Sequence, residues 1–311
     1  MRLEARDHVP EWLTFLVPIL AIFFSLFVAA ILLIIADAPP LESFYYLIKG
    51  AFGSKNAIAE TGARATPLIL TGLAAGIAFR AKFWNIGAEG QLYAGAIAVT
   101  VVGTGAINLP STLMIPFLFL VGALAGAVAI LPSVILKQLF KVDEVVTTLL
   151  MNFIIILFVS FVLDGPLKDP MSMGWPQAAS IVDSGVLPQI IERTRLHFGF
   201  IVAIITALMI WFILGKTTFG FKIRAVGYNS SAAYHSGHSV IRTVILVACI
   251  SGGLAGMAGV TETAGLKGYL TLDLSPGFGY TGIAVAMLAA LNPIGIVFSA
   301  IFLATIYVGA D

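Results

Sequence analysis

The stretch LPSTLMIPFLFLVGALAGAVAILPSVIL, residues 109–136, contains no ionised side chain. A helix crossing the roughly 30 Å hydrocarbon core of a bilayer needs about 20 apolar residues, and this run exceeds that length. Its apolar character is continuous, whereas a barrel strand alternates in polarity and is about half as long. It is therefore read as a spanning helix. Working outward, Trp12–Ala36, Val145–Leu163, Phe198–Gly215 and Thr243–Val260 pass the same test. Gly122 and Gly126 inside the quoted run, like Gly72/Gly76 and Gly252/Gly256, form small-xxx-small pairs that let helices approach closely.

Composition agrees. Of 311 residues, 59% are hydrophobic and 11% charged, against about a quarter charged in soluble domains. Too few charges remain to cover a water-facing surface, so lipid is the solvent for most of the chain. The formal net charge of +1 offers nothing to nucleic acid, and the single Cys249 cannot form an intrachain disulfide. The first apolar segment is too long for a signal-peptide core and is expected to stay as an anchor. Placing the N-terminus in the cytoplasm puts Arg2, Arg6, Arg80, Lys82, Lys137, Lys141, Lys216, Lys222, Arg224 and Arg242 on that side, the majority of the 17 basic residues.

Two regions interrupt the plain spans. Pro67–Phe79 makes only about 20 Å of helix, too short to cross unless Thr61–Thr66 contribute, and it is followed by AKFWNIGAEGQ, residues 81–91. The charge-free run from Leu274 to Ala310 would make about 55 Å of helix, and Asn292-Pro293 divides it into a short segment, Tyr280–Leu291, and a final span, Ile294–Val308. Such short segments at membrane depth are tolerated where protein or a water-filled cavity surrounds them. An internal echo joins the two regions: Leu70–Ala78, LTGLAAGIA, resembles Ile250–Ala258, ISGGLAGMA, and Tyr93-Ala-Gly95 resembles Tyr280-Thr-Gly282. Paired interruptions of this kind point to a transport path. Residues 164–196 form a polar, proline-bearing loop, expected outside the cell as a surface for an extracytoplasmic partner.

Residues 215–243, GKTTFGFKIRAVGYNSSAAYHSGHSVIRT, are a basic interlude on the cytoplasmic side. Ser230–Tyr234 suits a short helix capped by Asn229 or Ser230 and ended at Gly237; an ordinary basic loop is the plainer alternative. Leu214-Gly-Lys-Thr-Thr218 lacks the first glycine of a phosphate-binding loop, since Ile210 stands there, so no ATP site is read in this stretch. His235 and His238 have no further ligand at metal spacing. No nucleophile, base or metal set converges as an enzyme would need. No metal or cofactor is expected.

The run Arg224-Ala-Val-Gly227-Tyr-Asn229-Ser-Ser-Ala232-Ala233-Tyr-His-Ser-Gly237 resembles the cytoplasmic coupling motif of ABC-importer permeases, approximately R-A-x-G-x-N-P-E-A-A-x-x-x-G. FWNIGAEGQ at 83–91 is similar to the signature of permeases for nucleosides and simple sugars within the branched-chain amino acid and ribose permease superfamily. PGFGYTGIAVAMLAALNPIG at 276–295 resembles that group's late glycine-rich segment. The three matches are ordered from about residue 60 to residue 311. Ser230-Ser231 replaces the family's Pro-Glu, and the chain stops at Asp311 where relatives continue, which suggests truncation at the C-terminus.

The resemblance implies an all-α, polytopic membrane helix bundle of about eight to nine segments with broken short helices, a single permease domain of the vitamin-B12 importer type. It implies a coupling segment at 216–238, with Arg224, Gly227 and Asn229 holding the loop geometry and Ala232, Ala233 and Gly237 forming the face gripped by an ABC ATPase subunit. Asn85, Gly87, Glu89, Gln91, Tyr280 and Gly282 are the candidate translocation path for a nucleoside or simple sugar. In the alternative, Glu89 pairs with Arg80 or Lys82, and Phe83 and Trp84 anchor at the interface. The further partners implied are a second homologous permease and an extracytoplasmic solute-binding lipoprotein, in a bacterial cytoplasmic (inner) membrane. The rival reading is an ion-coupled secondary transporter working alone, a class that usually carries acids in its central helices.

Overall fold

The computed structural model describes residues 11–107 and 109–310; Arg2, Arg6 and Asp311 lie outside them. The regular elements of the described chain are helices: α1 (Glu11–Ile35), α2 (Pro40–Phe52), α3 (Lys55–Arg80), α4 (Ala88–Gly103), α5 (Ser111–Phe140), α6 (Glu144–Asp164), α7 (Gly199–Lys216), α8 (Thr218–Tyr228), α9 (Ser230–His235), α10 (Val240–Val260), α11 (Phe278–Leu288) and α12 (Pro293–Ala310). A π-helical turn, Thr261–Lys267, prolongs α10. Seven of these helices (α1, α3, α5, α6, α7, α12 and α10 with its π-turn) are long and apolar enough to cross a membrane. The sequence expectation of eight to nine segments thus resolves into seven full-length helices and two shorter ones, α4 and α11.

The segment that looked too short at Pro67–Phe79 is the second half of α3. The Ser54 hydroxyl accepts the Ala57 N–H at 3.0 Å and starts the helix at Lys55, so Pro67 sits mid-helix. The Thr71 hydroxyl donates to the Pro67 carbonyl at 2.8 Å, an i−4 back-bond of the kind that threonines make in helices. The expected break at Asn292-Pro293 is present. Ala290 and Leu291 take φ of +49° and +60°, Pro293 opens α12, and the Asn292 side chain accepts the Ile294 N–H at 3.0 Å.

α3 and α10 pack against each other at the centre. α10 carries α4 and α5 on its flanks, and α3 carries α11 and α12. The two echoing runs therefore occupy matching places. Gly72 and Gly76 of α3 leave room for Val285 and Ile296, while Gly252 and Gly256 of α10 face Gly126 and Gly122 of α5. In the second pair backbone meets backbone: a Cβ on Gly126 would lie 2.1 Å from the Gly252 carbonyl oxygen, and one on Gly256 would lie 2.1 Å from that of Gly122. The glycine pairs read from sequence as packing devices are exactly that at the α5–α10 crossing, in a solvent that offers helices no hydrophobic drive to associate. Away from the centre, α1 turns Trp12, Phe23, Phe24 and Phe27 outward and has its main contact with α2.

Gly126→Val should therefore lower thermal stability in detergent by about 1–3 kcal/mol or more, or prevent recovery of monodisperse protein. Gly215→Ala, where an added Cβ meets nothing within 4 Å, should leave the melt unchanged or slightly raised. Equal melts for both variants would refute the backbone contact.

Candidate functional site

The turn between α3 and α4 buries its amide end in a hydrogen-bonded network. Asn85 is inaccessible to solvent. Its Nδ2 donates to Gln91 Oε1 and to Ser251 Oγ, both at 2.9 Å, and its Oδ1 accepts from Gln91 Nε2 and from the Gly87 N–H, also at 2.9 Å. The Ser251 hydroxyl in turn donates to the Ala74 carbonyl at 2.7 Å, so α3, α10 and the start of α4 share one network. From α6, Asn152 Oδ1 accepts the Gly90 N–H at 2.8 Å, and Asn152 Nδ2 donates to the Ile86 carbonyl and to the Tyr280 hydroxyl.

Glu89 is held differently from the sequence alternative. It turns away from Arg80 and Lys82 to the start of α11, where Oε2 accepts the Gly279 N–H at 2.6 Å. The N-termini of α4 and α11 abut here: a Cβ on Gly279 would fall 2.2 Å from the Glu89 backbone nitrogen. Helix N-termini carry unsatisfied N–H donors and partial positive charge, and a carboxylate between two of them answers both. Asn85, Gly87, Glu89 and Gln91 thus form one cluster, which Tyr280 joins through Asn152. Gly282 does not join it and lies against Thr71 of α3. In this conformation the cluster is packed core. Of the two proposed anchors, Phe83 is buried beneath the Lys137 ammonium, and Trp84 is partly exposed beside Phe79.

Sequence reasoning gave no role to Asn152 and Ser251, amide and hydroxyl residues in apolar spans, or to Glu262 in the π-turn. Glu262 is buried, its Oε1 has no hydrogen-bond partner among the described residues, and the charges nearest it are Lys267, Arg64, Glu60 and Glu89. A carboxylate directly after the Thr243–Val260 span was the available signal.

At the opposite end from this π-turn, α8 and α9 form the basic interlude. Thr217 caps α8 by accepting the Gly220 N–H, and Asn229 caps α9, its Oδ1 accepting the Ala232 N–H at 3.0 Å. Gly237, at φ +81°, ends α9 as the motif requires. Ser230, Ser231, Ala232, Tyr234 and His235 are exposed, and Ala233 is buried. The three residues expected to share one contact face are thereby divided: Ala232 and Gly237 are open, and Ala233 packs inward. Arg224 donates to the Leu214 carbonyl at the end of α7. Gly227 is required by space, since a Cβ there would lie 1.9 Å from the Arg80 carbonyl oxygen. Arg80 Nε donates to the Leu291 carbonyl at 3.0 Å. Backbone and side-chain contacts therefore run from α8 through the end of α3 to the α11–α12 break.

On the far side, the loop after α6 folds over the end of the bundle. Its Ala178, Ile181 and Leu187 N–H groups donate to the carbonyls of Leu270, Gly268 and Ala264, while Met171, Met173 and Trp175 stand exposed. A polar cavity of about 460 Å³ opens there between Asn56, Glu60, Gln189, Arg193, Thr194 and Arg195. The ion pair of Arg195 with Glu60, 3.3 Å, lies at its wall. Nearby His197 is wedged between Gly199 and Gly265 and accepts the Gly199 N–H at Nδ1.

Residues 57–311 match the family model described as branched-chain amino acid transport system / permease component. The chain is 36% identical to the guanosine ABC transporter permease protein NupP of Bacillus subtilis, over 95% of this chain and 85% of that one. It is 32% identical to the nucleoside ABC transporter permease protein NupB of Lactococcus lactis, over 95% and 83%. It is 30% identical to the glucose ABC transporter permease protein TsgB13 of Haloferax volcanii, over 100% and 84%. No solved structure matches the chain significantly.

Two outcomes test this geometry. Glu89→Leu leaves the Gly279 N–H without its acceptor and should cost about 1–3 kcal/mol in a detergent melt, with Glu89→Gln, which keeps an acceptor oxygen, losing less; indistinguishable melts would remove the contact. Burial pushes the His197 imidazole down to about 4, against about 6.5 when unfolded. The neutral ring is the native form, so its contribution is complete above about pH 6.5 and is lost as the pH falls towards 4, to a limit of about 3 kcal/mol. His197→Asn should flatten that part of the stability–pH curve, and parallel curves for variant and wild type would show that His197 does not titrate with unfolding.

Proposed function

This chain belongs to the branched-chain amino acid transport system / permease component family, and on that footing we propose that it is the membrane subunit of an ABC importer that carries a nucleoside or simple sugar into the cytoplasm by alternating access. The observation that carries the reading is the exposed, independently capped helix α9, joined to the buried core by the sequence of contacts Gly227–Arg80–Leu291. A soluble motor needs such a handle: small, projecting, and tied to the core by a backbone contact at Gly227 and a side-chain hydrogen bond from Arg80. An ABC ATPase subunit would grip α9 at Ser230, Ser231 and Ala232, with Gly237 leaving the exit of the helix open. Arg224, Gly227 and Asn229 hold its geometry, and Ala233 seats it on the bundle.

A second homologous permease completes the pathway, and an extracytoplasmic solute-binding lipoprotein docks on the outer loop, where Met171, Met173 and Trp175 offer apolar contacts around the polar mouth. The setting is a bacterial cytoplasmic membrane, with α9 inside. Asn85, Gly87, Glu89, Gln91 and Tyr280 act in this reading as the joint that opens towards solute: their amide, carboxylate and hydroxyl groups suit a neutral polyhydroxylated ligand once the N-termini of α4 and α11 part. Gly282 lets α11 slide close to α3. Neither transport nor coupling needs covalent chemistry in this subunit, so ATP is hydrolysed by the partner. One observation favours the rival, an ion-coupled carrier acting alone: Glu262 is a buried carboxylate with an unpartnered oxygen.

Ala232→Arg adds bulk on the exposed face of α9. In the assembled complex it should abolish solute-stimulated ATP hydrolysis and uptake, while the isolated permease melts as wild type. Undiminished uptake overturns the coupling role, and uptake by the isolated chain under an ion gradient alone replaces the importer reading with the carrier.

A further inference from the structure

A groove of about 360 Å³ lies where the end of α3, α8 and the α11–α12 break converge, walled by Phe79, Arg80, Lys82, Arg224, Gly227, Tyr228, Ala290 and Leu291. Three of these residues are cationic, and none of the described residues lining it is an acid. Arg80 and Arg224 are close enough for their charges to repel. Each is held by one bond to a main-chain carbonyl, Arg80 Nε to Leu291 and Arg224 Nη1 to Leu214. These anchors fix the guanidinium planes and leave most of their N–H donors unspent. Lys82 stands 5.8 Å from the centre of the Trp84 ring. Two anchored guanidinium groups and an ammonium, with no acid among the described residues that line the groove, make a site that an anion stabilises.

The surroundings identify the anion. The groove lies at the ends of α3, α7 and α11, at a membrane surface, with the exposed aromatic side chains of Trp84 and Tyr228 at its edge, residue types that settle at the headgroup level. On either side of Ala290 and Leu291, the helices present Met287, Ile294 and Phe298 outward, 57%, 37% and 69% exposed. A soluble anion or a carboxylate of a soluble partner would use the cations and leave that apolar flank uncovered. A phospholipid uses both: phosphate against the arginines, acyl chains along α11 and α12. Basic pockets between membrane helices bind anionic headgroups in this manner.

We propose that this groove is a binding site for the headgroup of an anionic phospholipid. The site requires only a membrane-embedded bundle, so it stands apart from the importer reading. A bound phosphate would bridge α8 to the α11–α12 break and reinforce the contact that Gly227 and Arg80 make there.

The test uses the purified chain, without ATPase or solute. Native mass spectrometry from mixed micelles should show one phosphatidylglycerol retained per chain in preference to phosphatidylcholine, with phosphatidylglycerol raising the melting temperature. Arg224→Gln should weaken that retention about fivefold, the weight of one basic residue at an anionic surface. Because Arg224 also holds a carbonyl, Tyr228→Asp at the exposed rim serves as a second variant. It leaves the packing intact, places a like charge beside the phosphate and should weaken retention at least as much. Equal retention of the two lipids, or retention unchanged in both variants, overturns the proposal. So does inorganic phosphate that reproduces the full melting shift, which makes the site one for a free anion. A groove that takes neither lipid, and whose arginines are shielded from phenylglyoxal only in the assembled complex, belongs instead to an acidic surface of the ATPase partner.

Discussion

The crossing of α5 and α10 is made by peptide groups. Gly122 and Gly126 meet Gly252 and Gly256 at distances that no Cβ would allow, and the position of α10 follows from this contact. Water would have driven apolar helices together whatever their shape. Lipid does not, and association rests on close packing and on the few polar groups that find each other. With α10 held against α5, Ser251 faces α3, and Asn85 and Gln91 close around it. α4 begins between the two members of that amide pair, at Ala88. Gly252, which Gly126 meets, adjoins Ser251, so a side chain at Gly126 would press on the turn of α10 that carries the network's hydroxyl.

The same logic explains why two short helices are stable at membrane depth. α4 and α11 expose N-terminal N–H groups that lipid cannot satisfy. Each finds an acceptor on another helix: the Glu89 carboxylate of α4 accepts from Gly279, and Asn152 of α6 accepts from Gly90. Thr71 and Ser251, which correspond in the two echoing runs, each reach across to the opposite broken segment, Thr71 to the Phe278 carbonyl and Ser251 to Asn85. The interruptions are therefore mutually supported, and a change at one start is felt at the other.

Much of this was legible in residues. Charge-free runs gave the spans, Asn292-Pro293 gave the last break, and Asn229 and Gly237 gave the bounds of α9, because each acts through its own backbone. What the sequence did not show acts between distant segments. The extent of α3 depends on a serine cap ahead of a polar first turn that looks unlike a membrane helix. The partner of Glu89 lies 190 residues away, and nearer cations drew the eye. Ala232 and Ala233 are identical in type, and only the seat of α9 on the bundle decides that one is exposed and the other buried. The need for glycine at 227 is invisible until the Arg80 carbonyl is placed beside it.

How a push on α9 could reach the core is constrained by these contacts. α8 touches the end of α3 with no side chain between them at Gly227, so compression there cannot be absorbed by a rotamer change. Arg80 passes the displacement to Leu291, in a segment where two non-glycine residues already occupy the left-handed region, a conformation held at some energetic cost. Relaxing Ala290 and Leu291 would change the angle between α11 and α12, and α11 starts against Glu89. A close-packed interior switches between discrete arrangements rather than deforming smoothly. α11, eleven residues long, packs along α3 and meets α4 at its start through Glu89, so a changed angle at its far end would bear on the place where the two N-termini abut.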